Sequence, residues 1–344
     1  MTSTAGGSKS MMRVEIDEQP SALTRTYRDL APAAARVHAR LDDARSVLFL
    51  ARGSSDHAAT YGRYLVPIAV GKPASSGAPS LATLYNAQLD LQDTLAFVIS
   101  QSGETEELLE AAAWARERGA VTVALTNTPS SALIDACDEA LVTSAGAERA
   151  VPATKSFTAQ LLALAMVARP DWADDLASVG DRIEGLLTRL AGPSGLDEAV
   201  TLLAHARTVV CTGRGYSLSA AGEAALKLTE TTGMPCAGMS HADLQHGPIA
   251  MLGADVPLLV FAACDGPALS GLSAVAETAR ERGSSVVHIG GGPSGHLPGG
   301  DGPEALSPIG LSVVAQVIAE AVARARGLNP DRPAGLTKVT QTSR

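Results

Sequence analysis

No two cysteines in this 344-residue chain are spaced as C-x-x-C; Cys137, Cys211, Cys236 and Cys264 stand far apart. That spacing removes the usual zinc and thiol-redox frameworks, and the four thiols are expected to be buried. No apolar run is read as reaching the roughly 18 residues that cross a bilayer. The opening MTSTAGGSKSMMR also lacks the apolar centre of a secretory signal. A cytoplasmic protein with a disordered leader over 1–12 and no membrane partner is the expectation. Basic clusters are missing as well: the net charge is −9 and the Lys and Arg residues are scattered, which argues against a nucleic-acid surface. An anionic ligand would therefore need a local field. Neither glycine-rich turn of the chain satisfies G-x-G-x-x-G, and no P-loop lysine is present, so dinucleotides and nucleoside triphosphates are poor candidates.

What the sequence does contain is alternation. Apolar runs at 46–51 (SVLFLA), 94–100, 121–127, 208–213, 256–263 and 285–290 are separated by helical patterns. Continuous apolar strands between amphipathic helices imply parallel sheets covered on both faces, an α/β protein. The length suits two domains. A helical segment over 13–45 precedes a first domain at 46–171, and a helical linker spans 172–206, broken at Gly192-Pro193. A second domain follows at 207–326, and a tail at 327–344. ARGSSDHAATYGRYL at 51–65 and GRGYSLSAAGEAALKL at 213–228 both run from a strand through Arg-Gly-x-Ser into a helix, which suggests duplication.

The stretch VISQSGETEELLEAAAWARERGA (98–120) places Ser100, Gln101, Ser102, Gly103 and Thr105 where a strand gives way to a helix. The first N–H groups of a helix are unpartnered, and its dipole adds partial positive charge there. Hydroxyl donors and a glycine turn at that point make a cradle for a phosphate ester. One hydroxyl would suffice for an N-cap, and Glu106 and Glu107 would suit the first turn. The larger polar set favours anion binding.

ARGSSDHAATY, ISQSGET, AVPATKSFTAQ, TGRGYSLSAAGEAALKLTE and DLQHGPIAML occur in the order found in proteins with two sugar isomerase (SIS) domains. The chain resembles the isomerase half of glucosamine 6-phosphate synthase, and its tail GLNPDRPAGLTKVTQT is similar to that of stand-alone amino-sugar-phosphate deaminases of this family. The resemblance spans about residues 12–342. It implies two flavodoxin-like SIS domains, each a parallel sheet with helices on both faces, and a homodimer with shared active sites. Neither a cofactor nor a metal is implied.

Glu223, Lys227 and Glu230 lie on one helix face by spacing. Spacing alone reads as a solvent-facing salt-bridge stripe. The resemblance instead implies that Glu230 moves a proton between carbons 1 and 2 of a sugar, with Glu223 and Lys227 lining the site. A partly desolvated carboxylate would have the raised pKa that such a base needs. His246, a structural residue on its own, is implied to assist ring opening, reaching the site from a neighbouring subunit. Lys338, otherwise a solvated terminal lysine, is implied to bind the open-chain sugar, to be able to form a Schiff base with a ketose, and to belong to a lid. Ser55, Ser100, Gln101, Ser102 and Thr105 are implied phosphate contacts, and Val151 and Ala153 line the sugar.

Ala153 stands where the synthase has Ser, Gln245 replaces a Lys beside the histidine, and YSLSAA replaces a Tyr-Pro segment. The synthase reaction needs a glutaminase domain with an N-terminal Cys, and no Cys precedes Cys137. The expected activity is therefore deamination of glucosamine 6-phosphate to fructose 6-phosphate and ammonia. Two alternatives stand beside it: β-elimination from N-acetylglucosamine 6-phosphate by a dehydratase or lyase, and a non-catalytic sugar-phosphate sensor.

Overall fold

The computed structural model describes residues 9–193, 195–291 and 297–338. Its nine named strands are β1 (Ser46–Ala51), β2 (Ala74–Gly77), β3 (Thr94–Ile99), β4 (Val121–Thr126), β5 (Glu139–Val142), β6 (Val209–Gly213), β7 (Cys236–Ser240), β8 (Leu258–Ala262) and β9 (Val286–Gly290). One sheet runs β2-β1-β3-β4-β5 and the other β7-β6-β8-β9. Every ladder is parallel, with Ala51 opposite Ile99 in the first sheet and Val210 opposite Leu258 in the second. This is the α/β class that the alternating runs predict, and the strand order is that of flavodoxin-like sheets. The six predicted strands all form. The other three, β2, β5 and β7, carry no long apolar run.

Strands β1 and β3 are buried almost throughout. They need bulky β-formers on both faces, and Phe49 and Phe97 stack with ring centroids 5.4 Å apart. Between the sheets lie the helices Ser54–Val70, Lys155–Ala168, Leu218–Thr232 and Ser307–Ala325. Every residue of Lys155–Ala168 is buried. The helical stretch Glu304–Ala325 has the length and mean hydropathy, 1.7, of a membrane span, contrary to the reading of the sequence. It is nonetheless 89% buried over its most apolar window, so it is the core helix of the double domain.

Two expectations change, for the leader and for the thiols, while the helical segment 172–206 and its break form as read. The leader was expected to be disordered over 1–12, but the helix Met11–Asp17 begins within it and Met12 is fully buried; residues 1–8 lie outside the described residues. The carboxylate of Asp331 caps this helix, accepting from the Met11 and Met12 amides at 2.9 and 2.7 Å. The segment 172–206 forms helices Ala173–Ala177, Val179–Ala191 and Leu196–His205, and the second of these packs on Gln19–Asp43, where Gly180 lies against Pro20 and Thr24. Of the four thiols only Cys211 is buried. Cys264 is exposed because it falls in the turn after β8, and Cys137 and Cys236 are half-buried.

Candidate active site

In an open parallel sheet the crevice forms where neighbouring strands send their chains to opposite faces, here between β1 and β3. A cavity of about 370 Å³ occupies that position. Its floor is made by the segments leaving the two strands, Arg52–Ser55 and Ser100–Thr105. Gly103 has φ of 69°, and a Cβ there would lie 2.2 Å from Ser131 Oγ, so the turn accepts only glycine. The Gly103 amide donates to Ser100 Oγ at 3.1 Å and the Glu104 amide to Ser102 Oγ at 3.2 Å. Thr105 occupies the N-cap position of Glu106–Glu117, yet its hydroxyl caps no helical amide. The simple capping account therefore fails for Thr105, and Ser55, Ser100, Gln101, Ser102 and Thr105 all line the cavity.

The opposite wall comes from the second domain. Glu223, Lys227 and Glu230 do share one face of Leu218–Thr232, but it faces the interior rather than solvent, with Glu223 and Lys227 0% and 1% exposed. The helix is wedged against Ser54–Val70 and Ser307–Ala325. Lys227 and Glu230 line the cavity; Glu223 lies behind them. The Lys227 ammonium pairs with Glu230 Oε2 and stands 3.6 Å from Glu223 Oε1. Burial pushes the Glu223 carboxyl up to about 8; Lys227 opposes the shift and Glu230 reinforces it. Burial alone would lower the Lys227 pKa, but Glu223 and Glu230 reverse this and hold it above its ordinary value. The carboxyl held protonated on this face is thus that of Glu223. His57, against Gly222 of the same helix, is pushed down to about 4 by burial and by Lys227.

Val151 and Ala153 line the third side, with Leu336, Thr337 and Lys338 of the C-terminal segment. His246 does not join them: it is exposed at the C-cap of His241–Gln245, outside the cavity of its own chain. Four residues that the sequence reading passed over belong to the site. Arg52 lines the cavity and is held by a two-pronged pair to Glu107, at 2.9 and 2.7 Å. Gln160 donates to Ser55 Oγ at 3.1 Å and leaves its buried Oε1 without a hydrogen-bond partner. Ser156 lines the cavity with its hydroxyl committed to Glu148 Oε2 at 2.6 Å. Glu148, the fourth, is buried and bonded to Lys338 Nζ at 3.0 Å. Arg52, Ser156 and Gln160 fall within or beside quoted motifs, whereas Glu148 has no signal of its own. Among the described residues no cluster of His, Cys, Asp and Glu could hold a metal ion.

The SIS domain family matches residues 40–169 and 202–298, and the chain belongs to that family. Glutamine–fructose-6-phosphate aminotransferase [isomerizing] of Methanothermobacter thermautotrophicus is 31% identical over 343 residues, covering 97% of this chain and 58% of that protein. The Streptomyces coelicolor protein of the same name is 32% identical, covering 96% and 59%. The chain thus spans under two thirds of those relatives. Among solved structures, a protein from Silicibacter pomeroyi provisionally assigned as a phosphosugar isomerase is 34% identical. It has a TM-score of 0.81, covering 94% of this chain and 100% of that one. A glucosamine-6-phosphate deaminase from Thermotoga maritima shares the fold at 22% identity and TM-score 0.78, covering 97% and 100%.

Proposed function

We propose that the protein is a phosphosugar enzyme that transfers a proton between carbons 1 and 2, and that its reaction is the deamination of an amino-sugar 6-phosphate. One observation carries the reading. An ammonium held between the Glu230 carboxylate and the Glu223 carboxyl borders a cavity whose other wall is a ring of hydroxyls from Ser55, Ser100, Ser102 and Thr105. The hydroxyls and the N-terminus of Glu106–Glu117 suit a phosphate ester. The carboxylate of Glu230 suits the carbon-bound proton. The names of the isomerizing aminotransferases and of the Silicibacter protein support a sugar phosphate as the substrate class.

In this scheme Glu230 takes the carbon 2 proton from the open aldehyde and the electron pair moves onto oxygen 1. Lys227 stabilises the resulting charge, the proton is delivered to carbon 1, and oxygen 1 takes a proton from the amine nitrogen, which becomes doubly bonded to carbon 2. The carbon 2 imine so formed is hydrolysed by water to fructose 6-phosphate and ammonia. A homodimer in which His246 of one subunit opens the sugar ring in the other, and a cytoplasmic location, belong to the same proposal.

A proton NMR time course in deuterated water tests it, with glucosamine 6-phosphate in one sample, its N-acetyl form in another, and an ammonium assay beside them. Ammonium and fructose 6-phosphate from the first are expected. Loss of the carbon 3 hydroxyl from the second without ammonium would replace deamination by elimination, and binding without turnover of either would make the protein a sensor.

A further inference from the structure

Glu148 sits in the loop between β5 and the buried helix Lys155–Ala168, and its side chain is fully enclosed. Oε1 accepts from the Thr154 amide at 2.9 Å, the Thr154 hydroxyl at 3.2 Å and the Ser156 amide at 3.1 Å. Oε2 accepts from Ser156 Oγ at 2.6 Å and from Lys338 Nζ at 3.0 Å. The helix has no cap from its own Thr154 side chain, so Glu148 reaches back to cap it. Burial alone would raise the Glu148 carboxyl, but Lys338 and the Ser156 and Thr154 donors outweigh it and hold the group below its usual range. It is a charge stabilised inside the protein by a polar nest that one residue of the C-terminal segment completes.

The same loop holds that segment a second time, because the Val151 amide donates to the Asp331 carbonyl at 3.0 Å. Upstream, Asp331 is fixed by Met11 and Met12. The bond from Lys338 to Glu148 then ties the end of the described segment, where Leu336, Thr337 and Lys338 line the cavity, to the loop. Its ammonium is one of three cavity-lining cations, and each is matched to a carboxylate: Arg52 to Glu107, Lys227 to Glu230, Lys338 to Glu148.

We propose that Glu148 is the docking residue for the C-terminal segment and positions Lys338 over the cavity, in addition to capping the helix Lys155–Ala168. The capping task needs only an acceptor at Oε1, whereas the docking task needs the negative charge at Oε2. The two tasks are therefore separable by substitution.

The placement of the segment does not depend on the proposed reaction, although the activity readout does. Chymotryptic cleavage after Leu336, followed by intact mass, reads the placement directly. In E148Q and in K338M the cut is expected about tenfold faster than in the wild type, and no faster in the double variant, because one interaction is lost in all three. With a phosphosugar turned over, kcat/KM is expected to fall by a similar factor in each single variant and no further in the double. Melting temperature is expected to stay near wild type in K338M and in E148Q, whose amide oxygen keeps the acceptor that the cap needs. Wild-type cleavage in K338M, or effects of the two substitutions that multiply, would overturn the proposal. If E148Q does not fold, K338M decides by the same cut. If no sugar phosphate is turned over, the cleavage result still stands, and the proposed reaction alone fails.

Discussion

The two Arg-Gly-x-Ser turns begin alike and end differently. In the first, Ser55 Oγ faces the cavity and its only described side-chain partner is Gln160. In the second, Ser217 Oγ turns back on its own loop, accepting from the Arg214 amide at 3.1 Å and donating to the Arg214 carbonyl at 2.9 Å. Tyr216 is buried there beside Tyr61, with ring centroids 6.1 Å apart. The partner strands diverge in the same sense. Behind β3 come Ser100, Ser102 and Thr105; behind β8 come Ala263, Cys264, Asp265 and Gly266, with the Glu304 carboxylate folded against Gly266. Burial and Asp265 raise the Glu304 pKa. An acidic strand end without hydroxyls repels the ligand that the first one suits. Duplication has thus left one domain with the crevice and set the other to supply a helix to it.

The sharpest way to break this division of labour is Glu230→Gln. If the second domain brings the chemistry and the first the phosphate site, kcat falls on the order of a thousandfold while affinity for a phosphorylated ligand stays within about twofold. Parallel loss of affinity in a calorimetric titration would refute the division.

The seam between the domains is tested next. A Cβ at Gly222 would lie 2.6 Å from His57 Nδ1, so Gly222→Ala is expected to cost about 2 kcal/mol through overpacking, read as a lowered denaturant midpoint. Unchanged stability would mean that His57 moves freely and the seam is loose.

A pair of serines sharpens the comparison further. Ser102→Ala is expected to weaken binding of a phosphorylated ligand by about 1–1.5 kcal/mol with little change in stability. Ser217→Ala should do the reverse, lowering the melting temperature and sparing affinity. Equal effects on affinity would make both turns binding elements.

The smallest effect is electrostatic. Glu223 is raised in the folded state, so its contribution to stability is complete below its ordinary value of 4.5 and is lost as pH rises through about 8. His57 is depressed, so its contribution is complete above 6.5 and is lost as pH falls through about 4. Between pH 6.5 and 8 only the Glu223 slope of this pair operates. Wild-type stability should decline across that window more steeply than that of Glu223→Gln, and parallel curves would show that Glu223 is charged throughout.

β1, β3, β4, β6, β8 and β9 were legible because a strand covered on both faces needs an unbroken apolar run. β2 (ASSG), β5 (EALV) and β7 (CAGMS) were not, since each lies at a sheet edge, is held by one neighbour's backbone and needs little from its side chains. Hydroxyls after a strand announced the cradle. By contrast, Glu223–Lys227–Glu230 has the spacing of a solvated stripe, and its burial follows only from packing against Ser54–Val70 and Ser307–Ala325. Glu148 is a single acid in an irregular loop. Its donors sit six and eight residues later, and the remaining one comes from the far end of the chain.

The bond from Asp331 to the Met11 and Met12 amides makes fraying at the two ends of the chain one event. Releasing the C-terminal segment exposes two helix-starting amides far away in sequence, and unwinding the first helix frees the segment. Hydrogen exchange at Met11 and Met12 is therefore a remote gauge of how often the Asp331 anchor of the C-terminal segment lets go, readable without any ligand or turnover.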